Sequence, residues 1–597
     1  MDQVLTPGEE YASRLAAREA SVRQLGASQE RVGAVRLLLA AVVLALAWSS
    51  WGERWLSSLW MLAPVVAFIG AIAYHAALRR RHSLASRAAE FYRRGLARLE
   101  DRWLGSGNRG ERFGDIHHVY SADLDLFGEG SLFELLCAAR TRMGEETLAG
   151  WLLGPAAAAE VRVRQACVMD LRDRLDLRER IGTLGAEQES ALHPGRLLDW
   201  AEGPAVLGRR WMLGAALLPV FLIAALVGAE LTGIWTPVAL VLIIEGLVLY
   251  RLRERLLQVL SPAERAFDFD GLKVFAGLLL QVERQRFDSP PLRALVEGLT
   301  RDGIPPSRRI GQLATLVMLS EQRKNLMVSW AQVPLLYLLS VALAAERWRR
   351  EYGRSVRGWM AAAGRFEALS SLAQYTFERP DDPFPRFLEG RACLQAQGIG
   401  HPLIPRSQCV RNDVSLLDRT RVWLVSGSNM SGKSTLLRAI GLNVVLAMAG
   451  APVRAQALEL TPLQVGASIR INDSLREGSS RFYAEITRLR QLKDLSGRDP
   501  PLLFLIDEML QGTNSNDRRI GAQGILGALV EEGAIGLATT HDLALTELGG
   551  LADGVLRNMH FEDHLENGRM QFDYKLREVV VTKSNGLELM RAIGLRV

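Results

Sequence analysis

Long apolar stretches in the first half of the chain come in two pairs. Each stretch is free of charged residues, apart from Glu245 in the last one. Each also approaches the length that a helix needs to cross about 30 Å of hydrocarbon. The pattern predicts two transmembrane helical hairpins; a pair of buried core hairpins is the alternative. The stretches are Leu37 to Gly52, Trp55 to Leu78, Trp211 to Ala229 and Leu231 to Tyr250.

Arginines flank all four stretches on the same side. Because cytoplasmic loops carry an excess of Lys and Arg, residues 1–34, residues 81–208 and everything after residue 250 are expected in the cytoplasm. The chain is therefore predicted to be a multi-pass protein of the inner (cell) membrane. The flanking residues are Arg31, Arg36, Arg79, Arg80, Arg81, Arg209, Arg210, Arg251, Arg253 and Arg255.

Two further features bear on this topology. Glu245 lies inside the last predicted span, where an unpaired carboxylate costs a few kcal/mol. Four explanations for this residue stay open: a contact between helices, a functional site, a position where the membrane interface begins early, or a protonated side chain. A fifth charge-free stretch runs from Asn325 to Ala345. If it crossed the membrane, the nucleotide site further along would face a compartment without ATP, so we predict a buried helix there.

The segments beside the hairpins show helical periodicity, as in Ser131 to Met143. His117 and His118 follow Asp115, but neighbouring side chains on a regular element point in different directions, which favours a solvated loop over a metal site. Neither an internal repeat nor a long heptad run is present. The predicted segments are 1–34, a hairpin over 35–80, a helical segment over 81–208, a hairpin over 209–250, a helical core over 251–390 and an α/β domain over 391–597.

Composition adds four observations to this picture. The 597 residues are 48% hydrophobic and 23% charged, which excludes a disordered chain. A mean hydropathy of +0.06 is high for a wholly soluble protein and fits the predicted spans. The net charge is +6, and only six of the 72 basic residues are lysines. We attribute this high ratio of arginine to lysine to coding bias rather than to nucleic-acid binding. The four cysteines form no C-x-x-C pair, which predicts a reducing compartment and no zinc site.

A phosphate-binding loop is the most specific motif. Gly427 to Ser434 reads GSNMSGKS and satisfies G-x-x-x-x-G-K-[ST], between a predicted strand, Val422 to Ser426, and a predicted helix, Thr435 to Met448. In this context backbone N–H groups hold the β-phosphate of ATP, Lys433 reaches the β- and γ-phosphate oxygens, and Ser434 binds Mg²⁺. The predicted phosphate-binding residues are Gly427, Ser428, Asn429, Met430, Ser431, Gly432, Lys433, Ser434 and Thr435.

Two later strands carry the expected partners of this loop. Leu502 to Glu508 (LLFLIDE) is apolar and ends in two carboxylates. Asp507 is predicted to hold Mg²⁺ through its water shell, and Glu508 to orient or deprotonate the attacking water. A third strand, Ala534 to Thr539, leads to His541, a candidate γ-phosphate sensor. The predicted catalytic residues are thus Lys433, Glu508 and His541, and the predicted metal ligands are Ser434 and Asp507.

Residues 400–597 resemble the ATPase domain of the MutS family of DNA mismatch-repair proteins. Five segments carry the resemblance, and residues 310–390 are more loosely similar to the family's helical core and lever. The segments are the Asn429-Met430 pair in the phosphate loop, DSLREGSSRFYAEI from Asp473, DEMLQGTNSND from Asp507, THDLALTEL from Thr540, and TKSNGLELMRAIGL from Thr582.

The resemblance implies an α/β phosphate-loop NTPase domain of the ABC-like, MutS type that binds ATP and Mg²⁺. It also implies a homodimer with composite sites, in which Ser480 of one protomer approaches the γ-phosphate held by the other. His401-Pro402 and Asn412-Asp413 resemble the start of the family domain, which implies that Asn412 lies near the nucleotide base. Phe482 and Glu485 match the trans-acting segment, and the C-terminal segment matches one that supports dimerisation.

The chain also departs from the family pattern. Arg481 stands where a small hydroxyl residue is usual, Gln511 where a basic residue is usual, and Asn514 where a serine is usual. Repair members carry an N-terminal mismatch-reading domain with a Phe-x-Glu wedge. Here a membrane hairpin and a helical segment occupy that place.

Three functions are compatible with these patterns. The first is a membrane-anchored, dimeric MutS-like ATPase whose cycle moves the helical lever, with double-stranded DNA, including mismatched DNA, as a candidate partner and a repair-related role. The second is an ATP-driven, membrane-tethered switch that binds no nucleic acid. The third, a transporter of the ATP-binding-cassette type, is disfavoured because the chain has no L-S-G-G-Q signature.

Overall fold

The computed structural model divides into two compact units, Met1–Ser106 with Leu175–Leu184, and Gly107–Arg174 with Gly185–Val597. The segment predicted as one helical unit, 81–208, is therefore shared between both units. The structure describes residues 5–51, 60, 62–185, 193–207, 209–266, 269–300, 303–322, 333–428, 430–470, 481–542, 545–546, 554–566 and 569–579.

Helices make up most of the described chain before residue 380. In chain order they are α1 (Pro7–Trp51), α2 (Leu62–Leu99), α3 (Leu132–Leu136), α4 (Arg142–Leu153), α5 (Ala158–Arg172), α6 (Leu175–Gly182), α7 (Pro194–Glu202), α8 (Arg209–Thr232), α9 (Thr236–Ala266), α10 (Phe269–Glu283), α11 (Pro290–Thr300), α12 (Pro306–Gln322), α13 (Tyr337–Tyr352), α14 (Val356–Glu378), α15 (Lys433–Ala449), α16 (Arg481–Ser496) and α17 (Ser515–Glu531).

The first unit is an antiparallel pair of long helices, α1 and α2, with α6 packed against it. The aromatic ring of Tyr11 lies 2.5 Å from where a Cβ of Gly95 would be, so only glycine permits this close approach. Tyr92 is fully buried and donates a hydrogen bond to Glu179, which also pairs with Arg18 at 2.8 Å. These contacts join the polar ends of the two long helices to α6.

Two helices of the first unit are long and apolar enough to cross a membrane, Pro7–Ser49 and Leu62–Leu99. This judgement rests on length and composition. The apolar window of α1 is 0% buried and that of α2 is 6% buried, so both stretches present their side chains outward. These helices correspond to the predicted hairpin over 35–80, whose link lies outside the described residues.

The second predicted hairpin gives a weaker signal in the described residues. Helices α8 and α9 pack against each other through Leu222, Ala229 and Val238. Within α8, the described apolar stretch Leu217–Thr232 is shorter than the apolar helices of the first unit. The four-span topology therefore stays a prediction.

Glu245 of α9 is fully buried, and neither of its carboxyl oxygens has a hydrogen-bond partner among the residues that the structure describes. Helix α9 contacts α13 as well as α8.

Of the fifth apolar stretch, residues 325–332 lie outside the described residues. The remainder leads into α13, where Leu339 and Ala342 are buried, as the predicted buried helix requires.

Helix α4 crosses α14 at two glycines. A Cβ on Gly364 would lie 2.7 Å from the Met143 carbonyl oxygen, and a Cβ on Gly144 would lie 2.4 Å from a carboxyl oxygen of Glu367. Glu367 accepts hydrogen bonds from the Arg140 backbone N–H at 2.8 Å and from the Thr141 hydroxyl. It therefore fixes the residues that begin α4.

We expect Glu367→Gln to raise stability at alkaline pH. Burial raises the pKa of Glu367 to about 7 from an ordinary 4.5, although its hydrogen bonds with Thr141 and Arg140 act in the opposite direction. Between pH 5 and 7 the unfolded chain ionises this group while the folded chain keeps its proton, so stability falls as pH rises through this window. Glutamine mimics the protonated form, and the gain at pH 8 should approach about 3 kcal/mol.

Thermal unfolding of both proteins at pH 5 and pH 8 measures this effect. The variant should melt several degrees above the wild type at pH 8 and close to it at pH 5. Glu297→Gln, a change at an exposed position of α11, serves as the control and should shift neither value. An equal shift of Glu367→Gln at both pH values would contradict the explanation.

Strands begin after α14 and form two sheets. A four-stranded sheet has the order β1 (Arg386–Phe387), β5 (Ala457–Leu460), β2 (Leu394–Ile399) and β3 (Asn412–Leu416). A six-stranded sheet has the order β10 (Arg569–Glu578), β9 (Leu556–Glu566), β4 (Val422–Ser426), β8 (Ile535–Thr540), β7 (Leu502–Ile506) and β6 (Gln464–Ser468).

The six-stranded sheet positions the site. Strands β9, β4, β8, β7 and β6 run parallel, and β10 is antiparallel to β9. Every residue of β4, β7 and β8 is buried, as expected for central strands covered on both faces. This is the α/β architecture that the sequence predicts for the C-terminal part.

Candidate functional site

The phosphate loop joins the end of β4 to the start of α15. Gly427 (φ +153°) and Gly432 (φ +103°) adopt backbone conformations that favour glycine, and Lys433 begins the helix. The loop therefore presents the N-terminus of α15 at the carboxyl edge of the sheet, where helix N–H groups and the helix dipole attract phosphate. Asn429 lies outside the described residues.

Lys433 is held inside this loop. Its ammonium group donates to the carbonyl oxygens of Gly427 and Ser428, at 2.8 Å each, and the residue is only 4% exposed. Burial lowers the pKa of Lys433, while the carboxylates of Glu508 and Asp507 act in the opposite direction. The cation is thus fixed where the oxygens of a bound nucleotide phosphate need one.

Ser434 and Asp507 form the adjacent oxygen pair. The Ser434 hydroxyl donates to a carboxylate oxygen of Asp507, and the Thr539 hydroxyl donates to the other. The Asp507 backbone N–H also donates to the Ser468 carbonyl at 2.9 Å, which anchors the residue to β6. Hydroxyl and carboxylate oxygens are suitable ligands for Mg²⁺, so these residues fit the predicted metal site.

Glu508 follows in a turn with a positive φ of +51°. Its backbone N–H donates to the Thr539 hydroxyl at 2.9 Å, the same hydroxyl that donates to Asp507. The carboxylate accepts a hydrogen bond from Gln511, whose amide nitrogen is also 3.4 Å from Nδ1 of His541. The structure thus brings the predicted base and the predicted sensor into one cluster.

Phe482 and Glu485 of α16 support the same turn. A carboxylate oxygen of Glu485 accepts the Leu510 backbone N–H at 2.5 Å, and the Phe482 side chain would lie 2.7 Å from a Cβ at Gly512. These two residues match the family's trans-acting segment. They therefore place the first turns of α16 against the turn that follows Glu508. Ser480 itself lies outside the described residues.

One cavity of about 530 Å³ connects the phosphate loop with the nearby strands. Lys433 and Asp507 line it, and so do Asn412, His401 and Tyr574. The cavity combines a cation, carboxylates and aromatic surface, as an ATP-sized ligand requires. Burial lowers the pKa of His401 to about 4, so its imidazole is neutral at physiological pH.

Asn412 lines the cavity, but its side-chain amide is engaged elsewhere. It donates to the Tyr574 carbonyl at 3.0 Å and accepts the Leu576 N–H at 2.8 Å. The residue therefore ties β3 to β10 and places Tyr574 beside the phosphate loop. Tyr574 was missed by sequence reasoning, because its strand is distant in sequence and follows no recognisable motif.

Sequence reasoning also missed support from the first half of the chain. Asp123 accepts the backbone N–H groups of Ile469 and Arg470, both at 2.7 Å, and burial raises the pKa of Asp123. The Ala467 N–H donates to the Val119 carbonyl at 2.8 Å. A loop of the helical segment thus covers the β6 edge of the six-stranded sheet.

The His117-His118 pair belongs to the same loop. His118 is half-buried, with Nε2 3.0 Å from the Leu153 carbonyl, and Arg488 of α16 donates to its backbone carbonyl at 3.1 Å. No cluster of three or more metal-ligating side chains forms among the described residues. His117 is exposed, as expected of a solvated loop, whereas His118 is half-buried because this part of the loop docks on α16 and on the end of α4.

The fold and the site define a phosphate-loop nucleotide-binding domain. Residues 423–596 match the sequence model of MutS domain V. Over its C-terminal part the chain is therefore similar to the MutS family, as the sequence predicts.

Three relatives illustrate this similarity. The chain is 36% identical over 203 residues to an endonuclease MutS2 of Thermus thermophilus, covering 33% of this chain and 25% of that protein. It is 30% identical over 252 residues to a DNA mismatch repair protein MutS 2 of Halobacterium salinarum, with coverage of 41% and 29%. It is 30% identical over 218 residues to a DNA mismatch repair protein MutS of Lactococcus lactis, with coverage of 35% and 26%. The chain thus spans between a quarter and three tenths of the length of these relatives.

Proposed function

We propose that this chain is a membrane-anchored MutS-like ATPase that binds and hydrolyses ATP with Mg²⁺. The observation that carries the proposal is the convergence of Lys433, the Ser434–Asp507 pair and Glu508 on one cavity at the end of parallel strands. Phosphoryl transfer depends mainly on positioning and charge neutralisation, and these groups supply both. In this proposal Glu508 accepts the proton of the attacking water, and His541 contacts the γ-phosphate.

Mg²⁺ would be held by Ser434 and Asp507, and when bound it would neutralise charge on the β- and γ-phosphates. Lys433 would leave the carbonyl oxygens of Gly427 and Ser428 and donate to phosphate oxygens instead. Tyr574 would flank the nucleotide within the same cavity. Each of these roles is carried by side chains that already line one space.

The proposal includes a homodimer with composite sites and an anchor in the bilayer. The similarity of the C-terminal part to the MutS family and the packing of α16 on the turn after Glu508 support a second protomer that approaches the γ-phosphate through Ser480. The outward-facing apolar stretches of α1 and α2 support membrane insertion, because soluble surfaces rarely carry such long apolar patches. The flanking arginines favour the cytoplasmic side for the ATPase domain.

DNA is the proposed partner because two of the relatives carry the name DNA mismatch repair protein. The alternative is an ATP-driven, membrane-tethered switch without nucleic acid. We infer DNA binding as the first hypothesis, although the chain matches these relatives over only part of their length. An ATP-binding-cassette transporter remains the less favoured reading.

Full-length protein in detergent, with and without ATP, can be titrated with matched and mismatched duplexes across a salt series. If DNA is bound through phosphates, the logarithm of the binding constant should fall linearly with the logarithm of the salt concentration, by about 0.9 per neutralised phosphate. Tighter binding of the mismatched duplex would support a repair-related role. ATP hydrolysis together with flat, salt-insensitive binding would favour the switch.

A further inference from the structure

Gln511 connects the proposed catalytic base, Glu508, with the proposed γ-phosphate sensor, His541. It follows Glu508 by three positions in a turn that contains two left-handed residues, Glu508 (φ +51°) and Leu510 (φ +56°). This backbone folds the Gln511 side chain back onto the Glu508 carboxylate. The same amide nitrogen lies 3.4 Å from Nδ1 of His541.

The turn that carries Gln511 is held from both sides. Arg518 of α17 donates to the carbonyl oxygens of Leu510, at 3.0 Å, and of Gln511, at 3.3 Å. Arg518 also pairs with Asp542, the residue after His541, at 3.3 Å. Glu485 accepts the Leu510 N–H on the other side. The same guanidinium group therefore binds the backbone of Gln511 and the carboxylate of Asp542, the residue that follows His541.

The chemistry of the three side chains determines which atoms donate. An ionised carboxylate only accepts hydrogen bonds, so the amide group of Gln511 must turn its nitrogen, not its oxygen, toward Glu508. The second hydrogen on this nitrogen is available for donation to Nδ1 of His541, 3.4 Å away. An imidazole that accepts at Nδ1 carries its proton on Nε2 when neutral. One amide thereby orients the carboxylate and selects the His541 tautomer that can donate from Nε2.

We propose that Gln511 is a positioning residue that holds the Glu508 carboxylate for the attacking water and sets His541 to donate from Nε2 to the γ-phosphate. This inference rests on the proposed ATPase function. It assigns a role to a position where the family resemblance places a basic residue. A basic side chain would also supply N–H donors. The property that Glu508 and His541 require at position 511 is therefore an N–H donor rather than a positive charge.

The test compares two substitutions at position 511 in the full-length protein. Gln511→Glu keeps the size of the side chain but replaces the donor by an acceptor beside Glu508. It should lower kcat for ATP hydrolysis by about 10- to 100-fold, since small displacements of catalytic groups have effects of this size. The Kd of ATP in the presence of Mg²⁺ should change less than threefold. Gln511→Arg retains N–H donors and should keep kcat within about fivefold of the wild type.

Gln523→Glu provides the matched control, because it makes the same chemical change in α17 away from this cluster. It should leave kcat and the Kd of ATP unchanged. Thermal unfolding of all three variants verifies that they are folded, and Gln511→Arg keeps the comparison informative if Gln511→Glu does not fold.

Several results would overturn the inference. They are an unchanged kcat in Gln511→Glu, an equal loss of kcat and ATP affinity, or a Gln511→Arg variant as inactive as Gln511→Glu. Failure of the underlying proposal looks different. In that case the wild-type protein would hydrolyse no ATP, or Lys433→Ala would hydrolyse it at the wild-type rate.

Discussion

Lys433→Ala is expected to abolish ATP binding at micromolar nucleotide concentrations and, with it, hydrolysis. The ammonium group is buried and already held by two carbonyl oxygens, so the wild type presents an oriented cation to the phosphates. Charge-assisted hydrogen bonds to phosphate contribute about 1.5–3 kcal/mol each. Losing the contacts to two phosphate oxygens should weaken binding by at least about 100-fold. Equilibrium binding of a fluorescent ATP analogue in the presence of Mg²⁺ measures the loss.

Lys493→Ala is the matched control. Lys493 lies in α16 and pairs with Glu532 at the surface, so its removal should leave the binding of the analogue unchanged. Equal ATP affinity of the wild type and Lys433→Ala would contradict the assignment of the phosphate site.

The Lys433→Ala protomer also tests the proposed composite site, because mixing it with a Ser480→Ala protomer should restore part of the hydrolysis if the two residues act on one nucleotide from different subunits.

The central strands of the nucleotide-binding domain could be predicted from the sequence nearly to the residue. Val422–Ser426 and Leu502–Ile506 are short, continuous apolar runs that end in glycine or acidic residues, and both became fully buried parallel strands. The pattern is informative here because a strand covered on both faces consists mostly of apolar side chains. The motif residues could be predicted as well, because they occupy the first positions after these strands.

The supporting contacts could not be predicted, because they join positions that are far apart in sequence. Asp123 reaches the backbone after β6 across 346 residues. Tyr574 reaches the cavity through a hairpin whose local sequence carries no nucleotide-binding motif. A helical periodicity of residues 81–208 indicates helices, but it contains no information on which of them pack against α2 and which against α14. Likewise, the role proposed for Gln511 depends on the left-handed turn at Glu508 and Leu510, where neither residue is glycine.

Glu508→Gln should separate binding from turnover. The proposed role of Glu508 is to accept a proton from the attacking water, which an amide cannot do at physiological pH. The side chain keeps its size, and its carbonyl oxygen can still accept the hydrogen bond from Gln511, so the geometry of the cluster should persist. ATP affinity should therefore stay within about threefold of the wild type, while kcat falls by about 10²- to 10⁴-fold.

Single-turnover hydrolysis, measured with protein in excess over radiolabelled ATP, distinguishes a slower chemical step from slower product release. Glu531→Gln, an exposed acid at the end of α17, is the control and should hydrolyse ATP at the wild-type rate. Because Lys433→Ala removes binding and Glu508→Gln removes only chemistry, the second variant alone should accumulate the ATP-bound state. A DNA or dimerisation response that appears in Glu508→Gln with ATP, and never in Lys433→Ala, would therefore belong to ATP binding rather than to hydrolysis. If Glu508→Gln hydrolyses ATP as fast as the wild type, another group must accept the proton, and the assignment of the catalytic base is wrong.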